Sequence, residues 1–180
     1  LHDGVQTCAV DGMCETACPV LINTGDLVRR LRAERQPRLA QVVASAAARH
    51  WAAVARLGSA ALSLAGRLPA SIPRRASGLA RAVLGAELIP QYSADLPAGG
   101  DRRPSRSVSE PVAIYFSSCT TAMFGPAEPD AGVAPAFLAL CDRAGVAVST
   151  PADLPVLCCG TPWKSKGLDD GYSLMRERVA

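Results

Sequence analysis

Apolar positions along this chain follow two different patterns, and the change from one to the other divides it. Residues 1–19 read as a loop that carries cysteines. The run LVRRLRAER after it has helical spacing: Asn23 or Thr24 is placed to cap it, Asp26 complements its first turn, and its basic end suits the carbonyl pole before Pro37 stops it. From residue 39 to about 89 the pattern stays helical and alanine-rich, with breaks predicted at Pro69 and Pro73. Residues 90–111 are dense in proline, glycine, serine and charge and read as a linker. Beyond it the pattern changes. Residues 112–116, VAIYF, form the short continuous apolar run of a buried strand. Residues 133–144 are helical, with Val133, Phe137, Leu140, Cys141 and Ala144 on one face, and residues 146–149 form a second strand. Strand, helix and strand in that order predict a parallel βαβ unit.

Composition adds a limit on the core. The chain of 180 residues is 49% hydrophobic but only 4% aromatic, and much of the apolar count is alanine, which buries little area per residue. With 19 basic against 16 acidic residues, and arginines scattered through alanine-rich helices without interleaved aromatics, solvated helix faces explain the charge better than nucleic-acid binding does. No basic segment followed by an apolar run marks a secretory signal, and uncharged stretches such as residues 57–66 are too short to cross a bilayer. The cysteine motif opens within ten residues of Leu1 and the chain stops inside the helical run SLMRERVA, so the expectation is a piece of a longer polypeptide.

The seven cysteines carry the chemistry. An odd number without a signal argues against a secreted disulfide framework and for metal or redox use. The first group is Cys8-x5-Cys14-x3-Cys18-Pro19. Laid on the bacterial ferredoxin pattern C-x2-C-x2-C-x3-C-P, it resembles that pattern at every position except one, where Asp11 stands for the second cysteine. Small residues (Ala9, Gly12, Ala17) would let the backbone wrap a cluster closely. By that resemblance Cys8, Asp11 and Cys14 hold one iron–sulfur cluster and Cys18 reaches a second, whose other ligands lie outside this chain. A carboxylate is a harder ligand than a thiolate: Asp11 would bind iron weakly, leave an exchangeable position or permit a three-iron cluster. As an Asp-Gly turn residue it would ligate nothing. A zinc site, with His2 nearby, is the alternative for the whole motif.

The second group is Cys119 with Cys158-Cys159-Gly160, spaced C-x38-C-C-G. Two neighbouring thiolates at one metal centre, with glycine allowing a tight turn, account for it better than a strained disulfide. An inert buried pair is the alternative. Cys141, on the apolar face of the 133–144 helix, is expected in the core. With YFSSC at the first site and CCGTPWKSKG at the second, the group resembles the first part of the CCG cysteine-rich domain of heterodisulfide reductases and of glycolate and anaerobic glycerol-3-phosphate oxidising enzymes.

Together, TCAVDGMCETACPVLINTGDLVRRLR and the CCG region resemble the C-terminal iron–sulfur portion of FAD-linked D-lactate dehydrogenases of the cytochrome or quinone type. The resemblance covers the two ends of the chain well and its middle poorly. It implies an α plus α/β architecture: half of a ferredoxin-like 4Fe-4S segment at 1–37, a helical spacer at 38–89, the linker at 90–111, and the first part of a βαβ CCG domain at 112–180. It further implies 4Fe-4S clusters (3Fe-4S at the Asp11 site as a variant), FAD on a fused or associated oxidase domain, and a quinone or cytochrome acceptor. The expected location is cytoplasmic, with peripheral association at the inner membrane face left open. No FAD fingerprint and no acid–base constellation occurs, so no substrate chemistry is expected of this chain alone. An iron–sulfur subunit of a glycolate or glycerol-3-phosphate dehydrogenase complex, and a zinc or thiol redox sensor, are the competing expectations.

Overall fold

The structure is a computed structural model that describes residues 2–84, 89–126 and 131–180, without the side chains of His2, Asp3 and Leu84. A π-helical turn His2–Gln6 is followed by α1 (Met13–Ala17), α2 (Thr24–Arg35), α3 (Arg38–Arg49), α4 (Trp51–Gly66) and α5 (Ser71–Leu84). Then come β1 (Ala113–Ile114), α6 (Thr120–Met123), α7 (Val133–Arg143), β2 (Val148–Ser149), a 3-10 turn Leu154–Val156, α8 (Thr161–Lys166) and α9 (Asp169–Val179). The chain is mostly helical with one small parallel sheet, as an α plus α/β class requires. Among the described residues no helix is long and apolar enough to cross a membrane.

Two compact units divide the chain: residues 1–51 with 157–180, and residues 52–156. This division differs from the expected domain boundaries, because the CCG segment and everything after it fold with the N-terminal helices. The physical reason is a tryptophan core. Trp163 on α8 meets Trp51 edge-on at 4.9 Å and donates its Nε1 hydrogen to Ala44 O of α3 at 2.9 Å. Small residues (Ala40, Ala48 and Gly171) let α3, α8 and α9 close around the ring, and Met175 is fully buried beside them. Arg178 of α9 donates to Ala48 O and Arg49 O, satisfying carbonyls that the end of α3 leaves without a helical partner. Gly167 ends α8 in the left-handed region (φ +70°), where a Cβ would sit 2.4 Å from Ala33 N of α2.

The other unit contains the predicted strand–helix–strand. β1 and β2 are parallel, with Ala113 opposite Val148 and Ile114 opposite Ser149, and α7 connects them. Val148 and Ser149 are buried, but the β1 residues are exposed. A two-stranded sheet has only one neighbour to offer, so the apolar run at 112–116 does not become the buried strand expected. The buried positions of α7 are Ala134 and Cys141; Val133 and Leu140, expected on the inner face, point to solvent. Cys141 is in the core, as expected. Pro73 does not break a helix: it lies in the first turn of α5, where a missing N–H costs no hydrogen bond.

The stretch read as a linker is partly tied down. Arg106 N donates to Thr150 Oγ1 and Thr150 N to Arg106 O, both at 2.8 Å, and Val108 N donates to Ser149 Oγ at 2.9 Å. The Arg106 guanidinium reaches Asp142 at 2.5 Å and holds that carboxyl below its ordinary range. Arg103 is buried and donates to Ser117 O.

Candidate metal centre

The first cysteine group sits on the N-terminus of α2. Residues 8–12 turn sharply, with Val10 at φ +58° and Gly12 at φ +81°; the first is a conformation that a β-branched residue rarely adopts. The turn brings Val10 N to 3.4 Å from Cys8 Sγ, so an amide donates to sulfur. Asp11 Oδ1 accepts the amide of Met13 at 3.1 Å, an Asx turn that starts α1. This is the turn role weighed for Asp11.

Cys14, inside α1, is exposed and points at the start of α2. Asn23 caps α2 by accepting Gly25 N at 2.9 Å, which leaves the Thr24 hydroxyl to donate to Cys14 Sγ at 3.2 Å. That hydroxyl first, and the Gly25 amide next, hold the Cys14 thiol below its ordinary pKa by stabilising the thiolate. Gly25 is buried because the loop rests on it: a Cβ there would lie 2.9 Å from Asn23 Oδ1 and 3.4 Å from Val10 Cα. Cys18, half-buried, ends α1 and donates its amide to Glu15 O.

Arg32, treated in the sequence only as a helix-end charge, holds this loop in place. Its guanidinium donates to Val5 O at 2.8 Å, Gln6 O at 3.1 Å and Cys8 O at 2.8 Å, and also to Ser165 O. Neither spacing nor composition signals that role. Thr24 was visible only as an alternative helix cap.

The second group has members in both units. Cys119 is buried at the start of α6, five residues beyond β1, in the unit of residues 52–156. Cys158 and Cys159 belong to the other unit. Cys158 is buried, while Cys159 is exposed with its sulfur 3.2 Å from Thr161 Oγ1. Gly160 follows at φ +80°, a position where a Cβ would lie 2.8 Å from the Tyr172 ring. The glycine of CCG therefore serves a tight turn into α8, as expected. A cavity of about 270 Å³ opens beside the pair, lined by Tyr172, Met175 and Arg176 among others.

All seven thiols are free of disulfides. Among the described residues no three Cys, His, Asp or Glu side chains converge on one point that could hold a metal ion. Cys8, Asp11 and Cys14, implied as ligands of one cluster, each face a different neighbour. In this conformation the donor set does not fit a cluster, and binding would have to draw the loop together. The His2 side chain, considered for a zinc site, lies outside the described residues.

The acidified thiol predicts a measurable pH dependence. Alkylation of Cys14, followed site by site with mass spectrometry, is expected to rise at lower pH than that of an ordinary thiol. Thr24→Val removes the largest stabilising donor, so the midpoint should move up and the rate near neutral pH fall. No family model, curated protein or solved structure matches this chain.

Proposed function

We propose that the chain is the iron–sulfur electron-transfer region of an FAD-linked D-2-hydroxyacid dehydrogenase of the D-lactate type. The observation that carries the reading is the register of Cys8, Asp11, Cys14, Cys18 and Pro19, which resembles a ferredoxin motif with one thiolate replaced. An amide and a hydroxyl already directed at the sulfurs of Cys8 and Cys14 support it, since hydrogen bonds to thiolate sulfur are a lever on cluster potential. The exposed Cys159, next to buried Cys158 and its cavity, is a second place where a thiolate is available. Flavin and hydroxyacid belong to a domain outside this sequence, and electrons would pass on to a quinone or cytochrome.

A thiol redox module, with or without zinc, is the second reading. The exposed Cys14, its thiol acidified by the Thr24 hydroxyl at 3.2 Å, favours it. One experiment separates the two. Anaerobic reconstitution of the full polypeptide with iron and sulfide, followed by metal analysis and EPR, is expected to yield iron and sulfide in comparable amounts. Cys14→Ser should remove most of the iron assigned to that site. Zinc in place of iron, or iron that ignores the substitution, would defeat the electron-transfer reading.

A further inference from the structure

We propose that α4 and α5 each present a docking face for the anionic surface of a phospholipid bilayer. Both helices are turned inside out: their small and polar faces are engaged by their own chain, and their aliphatic faces look outward. On α4, Ser59 Oγ donates to Gly100 O at 2.7 Å, Ser63 Oγ accepts from Gly99 N at 3.1 Å, and Ala55 is buried. The approach is close enough that a Cβ on Gly99 would lie 1.9 Å from Ser59 O. On α5, Ser77 Oγ accepts from Tyr92 N at 3.0 Å, Arg81 donates to Ile89 O at 2.7 Å, and Gln91 donates to Arg74 O at 2.9 Å.

The opposite faces carry aliphatic stripes with no cover. Leu57 and Leu64 of α4 are 70% and 58% exposed, and Leu68 just beyond the helix is 40% exposed. Ile72, Leu79 and Val83 of α5 are 51%, 69% and 73% exposed. On α5 the spacing is i, i+7, i+11, which places the three side chains within about 20° of one line, and Leu57 and Leu64 of α4 stand at i and i+7. An apolar stripe normally turns inward to lose its contact with water. Here the inward positions are filled by serines and by the segments 89–92 and 99–100, so each stripe needs an apolar partner from outside.

Charge selects that partner. Residues 52–84 contain five arginines and no acidic residue. Arg56 of α4, Arg67 just after it, and Arg74 and Arg75 of α5 are all exposed, and Arg75 stands about 60° round the helix from the α5 stripe. Aliphatic residues bordered by arginines match a leaflet that is apolar beneath an anionic headgroup layer: the stripe enters about 5–10 Å and the guanidinium groups stay with the phosphates. Single-stranded nucleic acid would want aromatic stacking surfaces, and residues 52–84 contain none.

The proposal is independent of the cysteine chemistry and is tested without iron. The full polypeptide, floated with vesicles of mixed phosphatidylcholine and phosphatidylglycerol, is expected to rise with the lipid at low salt and to release as salt increases. Vesicles of phosphatidylcholine alone should leave most of it behind. Leu79→Ser should weaken partitioning about tenfold through lost apolar insertion. Arg75→Glu should weaken it about thirtyfold by reversing one charge near the surface. Both positions are exposed, so circular dichroism should be unchanged. Absence of flotation on anionic vesicles, or flotation indifferent to both substitutions, overturns the proposal. A dimer that Leu79→Ser dissolves, or tighter binding to an oligonucleotide than to lipid, assigns the surface to another occupant and also overturns it.

Discussion

Trp163→Ala is expected to lower the stability of the unit formed by residues 1–51 and 157–180 by about 3–5 kcal/mol, the range for truncating a large buried aromatic. The ring is almost fully buried and does three things at once. It packs on Trp51, it donates a hydrogen bond to Ala44 O, and it lies against Gly171 so closely that a Cβ there would come within 2.2 Å of its Cδ1. Alanine leaves a cavity, removes the second hydrogen bond to Ala44 O and unpacks Trp51. Gly171→Ala tests the same contact from the other side and should cost about 1–3 kcal/mol, because the added methyl must displace the ring. Chemical denaturation, with hydrogen exchange in α3 and α9 as the local readout, distinguishes collapse of this unit from unfolding of residues 52–156. An unchanged exchange pattern in α3 and α9 of Trp163→Ala would show that the tryptophan does not hold them together.

The second large effect is expected at Arg32. Its guanidinium serves carbonyls of three residues in the cysteine loop and a fourth, Ser165, at α8. Hydrogen bonds from a charged donor are worth about 1.5–3 kcal/mol each, and water recovers part of that where the carbonyls are half-exposed, so Arg32→Ala should destabilise by about 2–4 kcal/mol in total. The loop ahead of Cys8 should loosen first. Faster alkylation of Cys8, with Cys141 still protected in the other unit, is the expected signature. Arg32→Lys keeps the charge but loses the planar fork, and should recover only a fraction of the protection. If Arg32→Ala leaves Cys8 as slow as in the parent chain, the loop is held by something else.

These two residues show where sequence reading reached its limit. The helix over Thr24–Arg35, its Asn23 or Thr24 cap and the stop before Pro37 were all legible, because capping and proline effects are local. The parallel strand–helix–strand was legible for the same reason: a change of period is written in neighbouring residues. The inner face of α7 was misjudged. Val133 and Leu140 look like core by residue type, yet Ala134 and Cys141 take the buried positions. Which face a helix buries depends on what stands beside it, and a two-stranded sheet offers little area to cover. The same reason left residues 112–114 exposed.

At the cysteines the division is sharper. The sequence by itself determined that six of the seven thiols fall in two groups, that one group has a ferredoxin-like spacing with Asp11 in a cysteine's place, and that Gly160 follows adjacent cysteines. Spacing is a property of the chain and survives any fold. Only the tertiary structure decided that Cys14 meets Thr24 at a helix start, that Arg32 fastens the loop, and that Cys158–Cys159 fold with the N-terminal helices while Cys119 does not. The last of these depends on groups more than a hundred residues apart finding each other around Trp163. That outcome was set by how small residues let helices approach, which no local pattern encodes.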